Sequence, residues 1–307
     1  MENYHYPGTD IQTSRLALGC MRMAGKSVAE AQAVIEAALA VGINYFDHAD
    51  IYGRGQSEER FAQAFKQIDC DRDQIYLQSK VGIRPKEGMF DFSKDHILKS
   101  VDGILRRLET DYLDALLLHR PDSLMEPEEV AEAFQTLKDS GKVRYFGVSN
   151  QSVGQMKLLQ AATEIPLVFN QLQFGPAHTL MLDAGFNFNM PNDFGSNRTA
   201  DILEYCRLHQ ITIQPWSPFQ VDLEQGLFMK HPDYQELTKE IQEKADQYQV
   251  SFEGMVMAWI LRHPAKMQPI VGTMTPERIR HNAEGLNVDL SRQDWYEIYR
   301  AGGRPLP

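Results

Sequence analysis

Residues 113–149 read LDALLLHRPDSLMEPEEVAEAFQTLKDSGKVRYFGVS. The first stretch, Leu113–His119, is a near-continuous apolar run without the in–out alternation of a half-solvated strand. Such a run suits a strand buried on both faces, as in a parallel sheet. Pro127 then opens a helical pattern that continues to Ser140, and Gly141 ends it. Val143–Ser149 is a second strand. Strand, crossover helix and strand in this order make a βαβ unit, whose helix covers the sheet face.

The same unit recurs in both directions. Towards the amino terminus, Ile75–Val81 predicts a strand, followed by a helix capped by Ser93 whose apolar face holds Ile97, Val101, Ile104 and Leu108. Before that come the strand Asn44–His48 and a helix from about Glu58 to Gln67. Leu16–Cys20 is the first buried strand; Ser27 caps the helix Val28–Val41 and Gly42 stops it. Tyr4–Gln12, turning at Pro7–Asp10, reads as a short hairpin. Towards the carboxyl terminus the helix Val153–Thr163 leads to the strand Leu167–Phe174, a helix near Arg198–His209 and the strand Thr212–Ser217. Helices over Tyr234–Tyr248 and Phe252–Arg262, the strand Ile270–Val271, and helices over Pro276–Glu284 and Arg292–Arg300 complete the pattern.

Eight strand–helix units with apolar strands predict a closed parallel α/β barrel, carrying a short amino-terminal β-hairpin and extra carboxyl-terminal helices. A doubly wound sheet would show a GxGxxG turn after an early strand, and the sequence has none. No Pro/Gly/Ser-rich linker divides residues 1–307, so a single domain is expected. The long stretches Gly175–Asn197 and Pro218–Asp233 follow strands six and seven, where barrel enzymes build active-site walls.

Composition narrows the function. At 307 residues, 43% hydrophobic and 24% charged, the chain is an ordinary globular one. A net charge of −11 argues against general attraction to nucleic acid or anionic membrane, while leaving room for a local basic pocket. No apolar run reaches the ~18 residues that suggest a membrane span. The opening MENYHYPGTDIQ has neither the basic start nor the apolar stretch of a signal peptide. Cys20, Cys70 and Cys206 give no disulfide framework, so the expectation is a reducing cytoplasm. Cys20 reads as a buried bystander rather than a reactive thiol.

Barrel chemistry lies at the carboxyl ends of the strands. Strand two ends in Asp47 and runs into Tyr52; strand three ends in Lys80 and strand four in His119. Taken singly, each has a plainer reading: a loop anchor, a packed turn aromatic, a solvated lysine, an interior histidine. Together at one rim they make a set suited to carbonyl reduction. The developing alkoxide needs a proton, and a free tyrosine with a pKa of about 10 is a poor acid at neutral pH. A lysine ammonium favours the tyrosinate and is expected to lower that pKa. Asp47 would hold and orient Lys80, and His119 would hydrogen-bond the carbonyl oxygen. No metal is needed.

These residues and their surroundings resemble the aldo-keto reductase superfamily. The resemblance spans nearly the whole chain: NYFDHADIYG (44–53), LQSKVGI (77–83), LDALLLHRPD (113–122), KVRYFGVSN (142–150), FNQLQF (169–174), QPWSPF (214–219) and IVGTMTPERIRHN (270–282). HADIYG and LLLHRPDSLM are similar in particular to a bacterial branch of general oxidoreductases. The resemblance implies a TIM barrel, a catalytic tetrad of Asp47, Tyr52, Lys80 and His119, and a nicotinamide dinucleotide lying across the carboxyl-terminal face. By that pattern Ser149, Asn150 and Gln171 hold the carboxamide, and Trp216 stacks on the nicotinamide unless it is a barrel-core aromatic. Gly19, Cys20 and Met21 approach the ribose, Asp47 also belongs to the cofactor-binding set, and Ser217 and Phe219 begin the pyrophosphate wall. At the adenine end, Gly272-Thr273 stand where many NADP-preferring relatives have Lys-Ser, with Arg278, His281 and Asn282 following. Arg278 supplies a guanidinium for a 2′-phosphate, so NADP(H) is expected with NAD(H) also allowed.

The substrate would be a small carbonyl compound met by Met21, Arg22, Tyr52, His119 and Arg120; the sequence does not say which, nor does it define an oligomeric state. Arg22 and Arg120 could bind an anionic group, or Arg120 could pair with Asp122 and shape the turn. Pro218–Asp233 could fold over the cofactor as a lid or remain a solvated loop. Two rivals stay open: a dinucleotide sensor with little turnover, and a barrel isomerase or aldolase using Lys80 as a Schiff base.

Overall fold

The computed structural model describes residues 4–188, 201–222 and 224–304. Strands β1 (Tyr4–His5) and β2 (Gln12–Thr13) pair antiparallel around the Pro7–Asp10 turn. The chain then lays down β3 (Ala17–Gly19), β4 (Tyr45–Asp47) and β5 (Tyr76–Val81). A small antiparallel excursion, β6 (Ile83–Arg84) and β7 (Met89–Phe90), follows without having been foreseen. The series resumes with β8 (Leu113–Leu118), β9 (Val143–Ser149), β10 (Leu167–Gln173), β11 (Thr212–Trp216) and β12 (Ile270–Val271).

Setting the two hairpins aside, eight strands pair in the order β12–β3–β4–β5–β8–β9–β10–β11, every pairing parallel. The edges β11 and β12 meet where the Gln268 N–H donates to the Ile213 carbonyl at 3.1 Å. This is the expected TIM barrel.

The helices are α1 (Val28–Ala40), α2 (Gln56–Phe65), α3 (Lys94–Leu108), α4 (Pro127–Asp139), α5 (Val153–Ala162), α6 (Leu180–Phe186), α7 (Ile202–Leu208), α8 (Gln235–Tyr248), α9 (Phe252–Leu261), α10 (Pro276–Glu284) and α11 (Arg292–Ala301). Their limits follow local chemistry. Ser27 with Glu30 and Ser152 with Gln155 form capping boxes on α1 and α5, satisfying amide groups that the first turn leaves free. Gly42 and Gly141 take left-handed conformations just past α1 and α4, where a side chain would be strained. Ser93 departs from expectation: it precedes α3, but its hydroxyl donates to Asp91 at 2.6 Å instead of capping. The stretch after strand six contains the unanticipated α6, which buries Met181 and Leu182. The first residues expected in the helix from Arg198, and residues 189–197 of that stretch, lie outside the described residues.

The core has two parts. Between sheet and helices a large cluster joins, for example, Leu116 and Phe146 to Val130 and Phe134. Inside the barrel, Ala17, Tyr45, Ala115, Leu117, Phe169 and Ile270 pack with Tyr6 and Ile11 of the hairpin. The hairpin therefore helps fill one end of the barrel, where the Tyr6 hydroxyl donates to the Ser14 carbonyl at 2.9 Å. The other end holds the polar strand termini.

Candidate active site

Lys80 sits at the end of β5 with no exposed surface. A buried ammonium costs several kcal/mol unless it is paired and hydrogen-bonded. It has both: Nζ donates to Asp47 Oδ1 at 2.6 Å and to the His48 carbonyl at 2.7 Å. The same Oδ1 accepts from Gln78 Nε2 at 2.6 Å and from Gln171 Nε2 at 3.1 Å. Tyr52 begins a tight turn after β4, and Lys80 Nζ stands 5.1 Å from its ring centre. The His119 ring meets the Tyr52 ring edge-on at 5.9 Å. The four residues named from the sequence thus come together in one place.

The charges sort themselves by environment. Burial lowers the affinity of Lys80 for its proton, but the Asp47 carboxylate and the Tyr52 oxygen more than reverse this, and the pKa lies above the ordinary lysine value. These partners favour the ammonium form. Burial, the Lys80 ammonium and the Arg120 guanidinium push His119 well below the usual histidine range, so its imidazole is neutral. For Tyr52 the expectation needs correction. Burial raises its pKa and outweighs the lowering by Lys80, so the net direction is upward. The phenol is held protonated, and the ammonium opposes part of the cost of losing that proton.

Around this group runs a cleft of about 710 Å³. Asp47, Tyr52 and His119 line its inner end, with Lys80 beneath them; Gly272, Thr273, Arg278 and Asn282 line the outer end. Gly19, Met21, Ser149, Asn150, Gln171, Trp216, Ser217 and Phe219 also line it. Cys20 does not. Its side chain turns into the core behind the sheet, where burial pushes the thiol pKa well up and Sγ contacts the Leu18 carbonyl at 3.7 Å. His281 is not among the residues that line the cleft either, and its carbonyl accepts from the Ser251 hydroxyl.

Two lining residues hold positive φ without being glycine: Asn150 at 57° and Ser217 at 49°. Such conformations need support from their surroundings. Trp216 Nε1 donates to Asn150 Oδ1 at 3.2 Å, Asn150 Nδ2 to Ser149 Oγ at 2.8 Å, and Ser149 Oγ to the Gln171 carbonyl at 3.1 Å. Trp216 is therefore a half-buried wall of the cleft rather than a core aromatic. The Arg120 guanidinium lies 5.6 Å from the Trp216 ring centre. It does not pair with Asp122, whose carboxylate instead accepts from the Phe92 and Leu124 amides. Arg22, just past β3, donates to the Gly272 carbonyl just past the neighbouring β12 at 3.0 Å.

Several contributors go beyond the individual residues named from the sequence, which gives Pro218–Asp233 only as a wall or lid segment. Pro218, Gln220 and Leu227 line the cleft from a segment that folds as a tight hairpin. There Phe228 is fully buried and its N–H donates to the Phe219 carbonyl at 3.0 Å. Glu253, at the start of α9, accepts from Arg278 Nε at 2.8 Å. Gln78, Gln214 and Gln268 form a buried amide chain: Gln78 Nε2 donates to Gln214 Oε1 at 2.9 Å, and Gln214 Nε2 to Gln268 Oε1 at 2.9 Å. The sequence signal for these was a glutamine inside each of three otherwise buried strand regions.

The cleft suits an elongated polar ligand on one further ground. Asn282 Oδ1 and Gln220 Oε1 belong to lining residues, yet both are buried with no partner among the described residues. Buried acceptors left this way are uncommon in folded proteins, and donors on a bound ligand would satisfy them.

A closed parallel barrel with an Asp–Tyr–Lys–His group and a long cleft at one rim defines a class of oxidoreductase. The family model described as "Aldo/keto reductase family" matches residues 15–302, and the chain belongs to this family. It is 36% identical to Oxidoreductase YdhF of Escherichia coli over 297 residues, covering 94% of this chain and 93% of that one. It is 34% identical to a 6-dehydroglucose reductase of Agrobacterium fabrum over 300 residues, with 94% of each chain covered. Among solved structures, an aldo/keto reductase from Klebsiella pneumoniae in complex with NADP and acetate superposes with a TM-score of 0.77 at 25% identity, covering 99% and 96% of the chains.

Proposed function

We propose that the protein is a reductase of aldehydes or ketones in which Tyr52 gives the proton and a nicotinamide dinucleotide, NADP(H) before NAD(H), occupies the cleft. When bound, the dinucleotide supplies the hydride. The residues of the chain do the rest. Tyr52, kept protonated by burial, faces the carbonyl oxygen at the inner end of the cleft. As its proton leaves, the Lys80 ammonium stabilises the phenolate, and Asp47 keeps that ammonium in place. The neutral His119 imidazole hydrogen-bonds the same oxygen and orients the carbonyl. Ser149, Asn150 and Gln171 are assigned to the carboxamide, Trp216 to the nicotinamide face and Arg278 to the 2′-phosphate.

The observation that carries this reading is the sealed Lys80–Asp47 pair beneath Tyr52. It also tells against a Schiff-base enzyme, because an imine-forming lysine must lose its proton and Lys80 is held in the charged form. The kinship to a 6-dehydroglucose reductase makes an oxidised hexose the first substrate to assay, beside simple aldehydes, ketones and quinones, and we place the enzyme in the cytoplasm.

The test is Tyr52→Phe. This variant should bind NADPH as the wild type does, read by quenching of tryptophan fluorescence, while carbonyl reduction falls by a factor of about 10² to 10⁴. Undiminished turnover would remove Tyr52 from the proton-donor role. Tight dinucleotide binding by the wild type, with no turnover across the panel, would favour a sensor.

A further inference from the structure

Arg278 does not stand alone at the outer end of the cleft. Its Nε donates to Glu253 Oε1 at 2.8 Å, and the side chains are 45% and 16% exposed. Glu253 lies in the first turn of α9, where a carboxylate is favoured by the helix dipole. A second carboxylate, Glu284, accepts from the Ser251 amide at the same helix start at 2.6 Å. Glu277 occupies the first turn of α10, beside Arg278. Among the described residues that line the cleft, Arg278 and Arg22 supply the cations here, and the Arg22 guanidinium donates to the Gly272 carbonyl; Arg280 lies further along the same helix as Arg278. Gly272-Thr273 add no charge.

We propose that Glu253 is a specificity-determining counter-charge that restrains the preference for a dinucleotide bearing a 2′-phosphate over one bearing a 2′-hydroxyl. This rests on the assignment of the 2′-phosphate to Arg278. A phosphate monoester brings nearly two negative charges to the guanidinium. Glu253 already neutralises that guanidinium and repels the incoming phosphate, a penalty that a neutral ribose hydroxyl does not incur. The hydrogen bond to Glu253 runs through Nε, and among the described residues none is made by the terminal nitrogens of Arg278, so the phosphate is admitted rather than excluded. The result is an enzyme that accepts both dinucleotides, with a modest lead for NADPH.

The experiment measures dissociation constants for NADPH and NADH by tryptophan quenching, in the full chain without carbonyl substrate. The proteins are the wild type, Glu253→Gln, Glu253→Ala and Arg278→Ala. The first two variants should each tighten NADPH about five-fold and leave NADH within about two-fold, a size consistent with removing one partly solvated charge. Arg278→Ala should weaken NADPH alone. Weaker NADPH binding in both Glu253 variants would mean that Glu253 orients the guanidinium instead, and would overturn the proposal. So would an unchanged ratio of the two constants. Equal effects of Arg278→Ala on both dinucleotides would overturn the phosphate assignment itself, a failure distinct from the other two. Unfolding midpoints of the variants separate these outcomes from misfolding, and Glu253→Gln, which keeps the shape and an acceptor for Nε, decides the matter if Glu253→Ala is unstable.

Discussion

Lys80 and Asp47 form their ion pair at 2.6 Å with both side chains sealed from solvent; Arg278 and Glu253 form theirs at 2.8 Å with nearly half of the arginine side chain exposed. Both pairs border one cleft. The inner pair shares its carboxylate oxygen with two glutamine amides and supports the backbone of the neighbouring strand through the His48 carbonyl. The outer pair joins two helices at the rim through a single hydrogen bond. Substituting one member of the inner pair leaves a charge stranded in a dry interior. At the outer pair water replaces what is lost. Chemistry is thus tied to the inner end, and cofactor choice is open to adjustment at the outer one.

Lys80→Met presses hardest on this contrast. It should cost about 3–5 kcal/mol of stability, because Asp47 would remain buried without its cation. It should also lower carbonyl reduction by a factor of about 10³ or more, since the phenolate loses its counter-charge. Urea unfolding and steady-state turnover check both. A variant as stable and active as the wild type would dissolve the distinction between the two ends.

A second effect lies just behind the inner end. Burial and the neighbouring Glu58 carboxylate push the Asp50 pKa up to about 7. The folded chain then holds this proton where the unfolded chain, with a carboxyl pKa of about 3.9, releases it. Stability contributed by Asp50 therefore falls as pH rises between those values. Relative to the wild type, Asp50→Asn should gain a few kcal/mol at most at pH 8 and close to nothing near pH 4. Unfolding midpoints of the two proteins across that interval provide the check; a difference independent of pH would refute it.

Salt gives the smallest effect. Raising ionic strength to about 0.5 M screens exposed charges and should weaken NADPH binding several-fold, with NADH much less affected. Fluorescence titration reads this, and equal weakening would mean that the exposed guanidinium contributes nothing particular to NADPH.

The barrel was legible because its strands are apolar runs, and the tetrad because four ionisable residues of different types end successive strands. Other features depend on which way a side chain turns. Cys20 follows Gly19 in the chain yet faces the opposite side of the sheet, and His281 precedes Asn282 yet leaves the cleft to it. Glu253 lies 25 residues from Arg278 and meets it only because α9 and α10 pack together. The upward direction of the Tyr52 pKa is a balance of burial and the Asp47 carboxylate against the Lys80 ammonium, and a list of neighbours gives no sign for it. The β6–β7 excursion and α6 are short elements within stretches rich in turn residues, where local pattern is weakest.

The amide chain from Gln78 through Gln214 to Gln268 has a consequence for anyone rebuilding this barrel. Gln268 also supplies the backbone N–H that joins the last strand region to β11, so the joint that completes the cylinder and the brace on Asp47 use the same residue. Opening the cylinder there, by moving the chain ends or dividing the gene between its seventh and eighth strands, would loosen the carboxylate at its centre. The rim can be re-cut loop by loop, whereas the axle has to be inherited whole.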